Sequence, residues 1–242
     1  FEALNEPIIL DGPYSNSAFD IVCKNDKVYM IIGGKDLLNG KRFDKGGYIL
    51  TYDYDKWSFI DPKEAQKKLN LPRNPRDYTS IAVTTDDSND EIVYASSMGD
   101  GVIQYKNGTP VQSYNEKNAF KETAGGYGSG YCYIDGLAFD KNGNLWMTSS
   151  EVNHAVLVLD KAGAWHRLDI EQLRGVYTIN DILITSTNDK WIYVPRNTPK
   201  LVMIPNSESL DEVSSYEFTT LIDTDGKELT PSNYTCVAED KD

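Results

Sequence analysis

Ile134-Asp135-Gly136-Leu137-Ala138-Phe139-Asp140-Lys141-Asn142-Gly143-Asn144-Leu145-Trp146-Met147-Thr148-Ser149-Ser150 is the stretch on which the fold turns. Two alternating apolar runs flank a polar centre. Asn142-Gly143 between them predicts a tight hairpin, since such turns need positive φ at both central positions. A third strand follows at Ala155-Val156-Leu157-Val158-Leu159, then a turn at Lys161-Ala162-Gly163 and a fourth strand at Trp165-His166-Arg167-Leu168. Four consecutive antiparallel strands make one blade of a β-propeller.

The same pattern recurs outward in both directions. Tyr78 to Val83, Ile92 to Ser97, Gly101 to Tyr105 and Val111 to Tyr114 form one copy, with Asn107-Gly108 as a turn. Phe19 to Cys23, Val28 to Ile32, Tyr48 to Tyr52 and Trp57 to Ile60 form another upstream. Asp181 to Ile184, Trp191 to Val194, Leu201 to Ile204 and Tyr216 to Leu221 form a fourth downstream. With Ile21, Ile81, Leu137, Ile182 and Val237 taken as equivalent, the spacings are 60, 56, 45 and 55 residues. Such a period is that of propeller blades with variable loops. The fold class expected is therefore all-β, a propeller of four-stranded antiparallel blades, incomplete in this chain.

The blades are predicted at about 17–60, 77–115, 131–170 and 177–222. Partial blades are expected at both ends, at Pro7 to Leu10 and from Val237 onward. Six or seven blades at this spacing need roughly 330–390 residues, so the chain reads as part of a longer protein whose other domains are its first partners. Asp61 to Leu69 breaks the pattern and predicts a short helix, with Pro62 at its first position. Glu116 to Gly130 reads as a glycine-rich inter-blade loop.

Composition agrees. Tyrosine, at 16 residues against 7 Phe and 4 Trp, favours strands and half-wet surfaces. A net charge of −13 argues against nucleic acid and anionic membrane surfaces as partners. No apolar run approaches the ~18 residues of a membrane helix, so direct membrane insertion is not expected. Cys23, Cys132 and Cys236 form no disulfide or metal framework and are expected to be small buried packing residues.

Chemistry-bearing motifs are few. Gly125 to Gly130 lacks the Lys-Ser/Thr and the following helix of a phosphate loop. Two histidines, His154 and His166, do not make a zinc site, and Asp140 to Asn144 departs from a calcium loop in its glycine position. No catalytic residue, metal or cofactor is expected. The positional signal is stronger. The innermost strand of each blade begins on one face, which loops between second and third strands share. Arg76, Asp77, Tyr78, Tyr131, Tyr133, Asp135, Tyr177, Asn180 and Tyr234 fall at these entrances, and His154 in such a loop. Aromatic faces beside hydrogen-bonding groups suit a sugar or peptide. The same rings also suit wedging between blades.

The block from Gly136 to Ser150 resembles the two-component-regulator propeller repeat, with its apolar strand, Asp, Gly-Asn-Leu-Trp and small-residue strand. The long blades, Gly46-Gly47-Tyr48-Ile49-Leu50 and Arg76-Asp77-Tyr78 are similar to the propeller of PorZ-type proteins, surface components of type IX secretion in Bacteroidetes. The copies at Ile182 to Val194 and Tyr78 to Ser97 lack Gly-Asn in the turn, and the latter also lacks the Trp. The resemblance implies an exported, multidomain, non-enzymatic protein of the periplasm or outer-membrane surface of a Gram-negative bacterium. It implies a glycan or protein partner, in a secretion-associated role or, alternatively, as the glycan-sensing propeller of a hybrid two-component system. A propeller lactonase or lyase is the remaining alternative.

Overall fold

The computed structural model describes residues 12–37, 39–125, 130–196 and 198–240. Four antiparallel meanders follow one another. The first comprises β1 (Ala18–Lys24), β2 (Lys27–Ile32), β3 (Ile49–Asp53) and β4 (Lys56–Ile60). The second comprises β5 (Tyr78–Thr85), β6 (Glu91–Gly99), β7 (Gly101–Lys106) and β8 (Thr109–Tyr114). The third comprises β9 (Cys132–Phe139), β10 (Leu145–Ser149), β11 (Val156–Leu159) and β12 (Trp165–Leu168). The fourth comprises β13 (Ile182–Ile184), β14 (Lys190–Val194), β15 (Lys200–Ile204) and β16 (Tyr216–Phe218). This is the blade architecture read from the repeat. The second and third blades are not separate sheets, however. Met98 pairs with Tyr133 and Gly99 with Cys132, which joins them edge to edge at their inner ends.

Period-two alternation sends each blade's side chains to two neighbours. Leu145, Met147, Leu157 and Leu159 pack toward the second blade with Ala82, Ile92, Tyr94 and Val102. Trp146, Val156 and Val158 pack toward the fourth with Ile182, Ile192 and Val202. Tyr29, Ile31 and Ile49 meet Ile81, Val93 and Ile103 between the first and second. Strands buried on both faces read as continuous apolar runs, as β11 does.

The turn chemistry corrects the Asn142-Gly143 expectation. Only Gly143 has positive φ, at 83°. The turn spans Asp140 to Asn144, with the Asp140 N–H donating to the Asn144 carbonyl at 2.9 Å and the Gly143 N–H to the Asp140 carbonyl at 3.1 Å. The same two bonds close Asp86 to Asp90, Asp160 to Ala164, Thr185 to Asp189 and Asp223 to Lys227. In each, the first side chain accepts the N–H of the fifth residue, and the fourth residue is Asn or Gly at positive φ. That local carboxylate or hydroxyl bond holds the longer turn against the two-residue form. The two-residue form occurs at Asn25-Asp26 and Asn107-Gly108, where both residues have positive φ.

Helix α1 (Pro62–Leu69) forms where expected, its N-terminus capped by Asp61, which accepts the Lys63 N–H at 2.9 Å. It lies beside β8 and buries Ala65. The fourth strand of the last blade stops at Phe218, and Leu221 instead opens a small hairpin of β17 (Leu221–Ile222) and β18 (Glu228–Leu229). Val237 is in no strand, and the strand expected at Pro7 to Leu10 lies outside the described residues. Cys132 is buried, whereas Cys23 and Cys236 are exposed, which corrects their reading as packing residues.

Candidate functional site

The inner strands β5 and β13 are held at their entrances by the loop between second and third strands of the preceding blade. The Asp77 N–H donates to the Lys45 carbonyl and the Glu151 N–H to the Val176 carbonyl, both bringing successive blades together on one face. The Tyr234 N–H does the same with the Pro195 carbonyl at 3.0 Å. Strand entrances and these loops therefore share one face, as expected from the repeat.

At its centre lies a cavity of about 230 Å³ lined by Phe19, Asp20, Lys35, Asp135, Asn180, Asp181 and Tyr193, with Thr235 and Cys236 at its edge. Lys35 comes from the long connection between β2 and β3. That segment crosses the mouth as a strap, and a side chain at Gly40 would meet the Arg196 guanidinium of the fourth blade at 2.3 Å. The Lys35 ammonium forms an ion pair with Asp135, both side chains being 1% exposed. It also faces the Ile179 carbonyl at 3.4 Å and stands 5.0 Å from the centre of the Tyr133 ring. The other Asp135 oxygen accepts the Ser150 hydroxyl at 2.6 Å, and that hydroxyl oxygen accepts the Ile179 N–H at 2.8 Å.

Burial governs the electrostatics here. It pushes the Asp135 carboxyl above its ordinary range, with Lys35 and Ser150 pulling back. Asp181 is pushed up to about 7, by burial first and then by the nearby Asp20 carboxylate. Asp20 is likewise raised by burial, against bonds from the Ile81 and Ile21 N–H groups. Among the described residues no cluster of three or more His, Cys, Asp or Glu side chains is arranged to hold a metal ion.

The predicted candidates divide among several places. Asp135 and Asn180 meet at the central cavity, both buried, and Tyr133, also buried, reaches the site through the Lys35 ammonium over its ring. Asn180 donates from Nδ2 to the Tyr193 hydroxyl at 3.1 Å. Tyr78 is fully buried between the first two blades, its hydroxyl 2.6 Å from that of Tyr105. This corrects its reading as a stacking ring, because burial removes both its faces from any ligand. Asp77 is buried as well and accepts the Lys45 N–H at 3.0 Å, a bond that locks the strand entrance. Arg76 is exposed and its backbone N–H donates to Asp100. Tyr131 is half-buried and donates to the Met98 carbonyl at 3.2 Å. It lines a second depression of about 380 Å³ with Arg73, Asp100 and Glu116. Tyr177 is 50% exposed at the rim, with the Arg196 guanidinium 5.9 Å from its ring. Tyr234 is half-buried where its backbone meets Pro195. His154 sits apart, paired with Glu122.

Asp181 and the placement of Lys35 are the parts that the sequence reading missed. Asp181 occupies the position equivalent to Asp20, one residue before the aligned Ile182 and Ile21, so the repeat contained that signal. Lys35 is 100 residues from Asp135, and no local pattern links them.

No protein-family model matches the chain, and no curated protein sequence matches it. Solved structures do. PorZ, described as an essential bacterial surface component of the type IX secretion system of Porphyromonas gingivalis, superposes with a TM-score of 0.77 at 19% identity, over 94% of this chain and 31% of that one. The extracellular domain of a hybrid two-component system from B. thetaiotaomicron gives 0.50 at 17% identity, over 93% of this chain and 31% of that one. Mala s 1, the major allergen of Malassezia sympodialis, gives 0.51 at 9% identity, over 83% and 63% of the two chains. The chain thus spans about a third of the first two proteins it resembles. These likenesses establish the propeller fold, in agreement with the resemblance read from the repeat.

Proposed function

We infer that this chain is a non-catalytic binding propeller of an exported cell-surface protein, engaging its ligand or partner on the face where the inner strands begin. The observation that carries the reading is the convergence of four strand entrances on one polar mouth, with Tyr177 exposed on the same face and the half-buried Arg196 guanidinium over its ring. An aromatic face beside a guanidinium suits a saccharide, which stacks on the ring and accepts hydrogen bonds from the cation. Binding is favoured over catalysis because Ser150, the hydroxyl against Asp135, is buried and donates its proton to that carboxylate while accepting the Ile179 N–H. It is committed to structure rather than poised as a nucleophile. Placement at a bacterial surface is supported by the likeness to PorZ. The likeness to an extracellular sensor domain supports a second reading, a glycan-sensing propeller.

The test is a glycan array probed with the purified protein and with Tyr177→Ala. A saccharide that binds the parent and loses about 1 kcal/mol of affinity in the variant supports the reading. Absence of any saccharide ligand, or ligands indifferent to Tyr177 and Arg196→Ala alike, overturns the rim as a saccharide site.

A further inference from the structure

The strap between β2 and β3 delivers Lys35 by a route that only glycine permits. Gly33 and Gly34 have φ of 134° and 83°. A side chain on Gly33 would stand 2.4 Å from the Tyr78 backbone nitrogen, and one on Gly34 would stand 2.1 Å from the Phe19 ring. Past this pair the chain turns over the mouth and its ammonium enters a three-sided enclosure. The enclosure consists of the Asp135 carboxylate, the Ile179 carbonyl and the face of Tyr133. Carboxylate, carbonyl and aromatic face together recognise an alkylammonium group.

Fold stability is a poor reason for this arrangement. A buried ion pair is commonly matched or bettered by apolar side chains of equal volume, because two charges must be taken out of water. The enclosure is also not closed off around Lys35. The adjoining cavity is walled by Asp20 and Asp181, and these carboxylates accept from neutral donors, Ser80 and backbone N–H groups. Three aspartate side chains therefore stand around one ammonium, which pairs with Asp135 alone, within a chain of net charge −13 that draws cations toward it.

We propose that the mouth is a binding site for a lysine side chain of a partner polypeptide, with Lys35 occupying it as a tethered competitor. The proposal rests on the reading of this face as the binding face and names a ligand chemistry for its centre. The incoming ammonium takes the place of Lys35 against Asp135 and Tyr133, and the strap swings out on Gly33 and Gly34. No bond is made or broken.

The probe is acetyl-Gly-Gly-Lys-Gly-Gly-amide, with a norleucine counterpart as its uncharged control, titrated calorimetrically at low salt. If the strap leaves the enclosure vacant for less than about a tenth of the time, removing its side chain raises affinity about tenfold or more. Lys35→Ala is therefore expected to bind the lysine peptide at least tenfold more tightly than the parent. Lys35→Met fills the slot without charge and gains nothing. Adding Asp135→Asn to Lys35→Ala removes the gain. Equal affinity in parent and Lys35→Ala, no binding by either, or equal binding of the norleucine peptide overturns the proposal. A measurement on the unaltered protein covers the case in which Lys35→Ala does not fold. Reductive methylation read by mass spectrometry should leave Lys35 unmodified alone and modify it when the lysine peptide is present, but not the norleucine peptide. Protection that persists at saturating lysine peptide overturns the proposal. Saccharide binding that depends on Tyr177 would survive that result, so failure here is distinct from failure of the binding-face reading.

Discussion

Asp140 shows how one side chain explains the sequence motif that surrounds it. Its Oδ1 accepts the N–H groups of Asn142 at 2.9 Å and Asn144 at 2.8 Å. Its Oδ2 accepts the Asn144 side-chain amide and the Trp146 indole N–H, both at 2.9 Å. The spacing Asp, Gly-Asn, x, Trp is thus a single hydrogen-bonded unit, of which the turn was legible and the indole bond was not. Trp146 in turn carries Lys190 above its ring at 4.7 Å, and that buried ammonium feels the Asp140 charge. Neutralising the carboxylate turns one acceptor oxygen into a donor facing donors, and leaves Lys190 less compensated. Asp140→Asn is therefore expected to destabilise by about 2–3 kcal/mol, and Trp146→Phe by about 1 kcal/mol through the lost indole bond. Urea unfolding checks both. A change within about 0.5 kcal/mol for Asp140→Asn would mean that the unit contributes little more than an ordinary surface turn.

Between elements, His166 on β12 ties the third blade to the fourth. Its Nε2 lies 3.0 Å from Asp160 in the preceding turn, and its Nδ1 lies 3.0 Å from Asp211 in the connection leading to β16. Two carboxylates on two ring nitrogens favour the imidazolium, so hydrogen bonding to Asp160 and then Asp211 raises its pKa above the ordinary value. The native state consequently binds the proton more tightly than the unfolded chain. That stabilisation is fully present below about pH 6.5, the unfolded pKa of histidine, and is lost as pH rises through the folded value. Asp211 is 84% exposed, which keeps the effect to about 1 kcal/mol or less. Thermal melts of the parent and His166→Gln should therefore differ most near about pH 6 and converge in mild alkali. A gap that is flat or widens with pH contradicts the tie. Sequence placed β12 correctly but held no sign of this tie, because Asp211 comes 45 residues later in a segment with no strand period. The same limit hid the strap. The continuous apolar run from Val28 to Ile32 showed a strand, whereas the path beyond it depends on what Gly33 and Gly34 pass between. For the aromatic rings, position at the strand entrances was legible and exposure was not. Tyr78 and Tyr177 occupy comparable places, yet neighbouring blades cover the first and leave the second half-exposed.

Across the whole molecule, blade-to-blade spacing is set by the residues just before the aligned inner-strand positions, namely Asp20, Ser80, Gly136 and Asp181. Asp20 accepts the Ile81 N–H of the next blade at 3.1 Å, and Ser80 accepts the Leu137 N–H of the next at 3.2 Å. Gly136 has no side chain to offer, and there the fourth blade closes in directly. A Cβ at this position would lie 2.7 Å from the Ile182 nitrogen and 2.8 Å from the Asp181 Cα. The Ile182 N–H is satisfied instead by the carboxylate of Asp181 itself, at 2.8 Å. The alignment of these four positions was visible in the repeat, but the alternation between bridging side chain and close contact appears only when the blades are assembled. Gly136→Ala must push two backbones apart, and the obstruction is backbone rather than a movable side-chain end. The expected loss is about 1–3 kcal/mol, with faster amide exchange at Ile182 and Ile192 and little change at Ile31 and Ile49. Ser80→Ala is the contrasting variant. It deletes a bridging acceptor without adding volume, so it should lose about 1 kcal/mol and loosen the second and third blades rather than the fourth. If Gly136→Ala is neutral, or if its exchange effect spreads evenly over all four blades, close approach at Gly136 does not set the seating of the fourth blade.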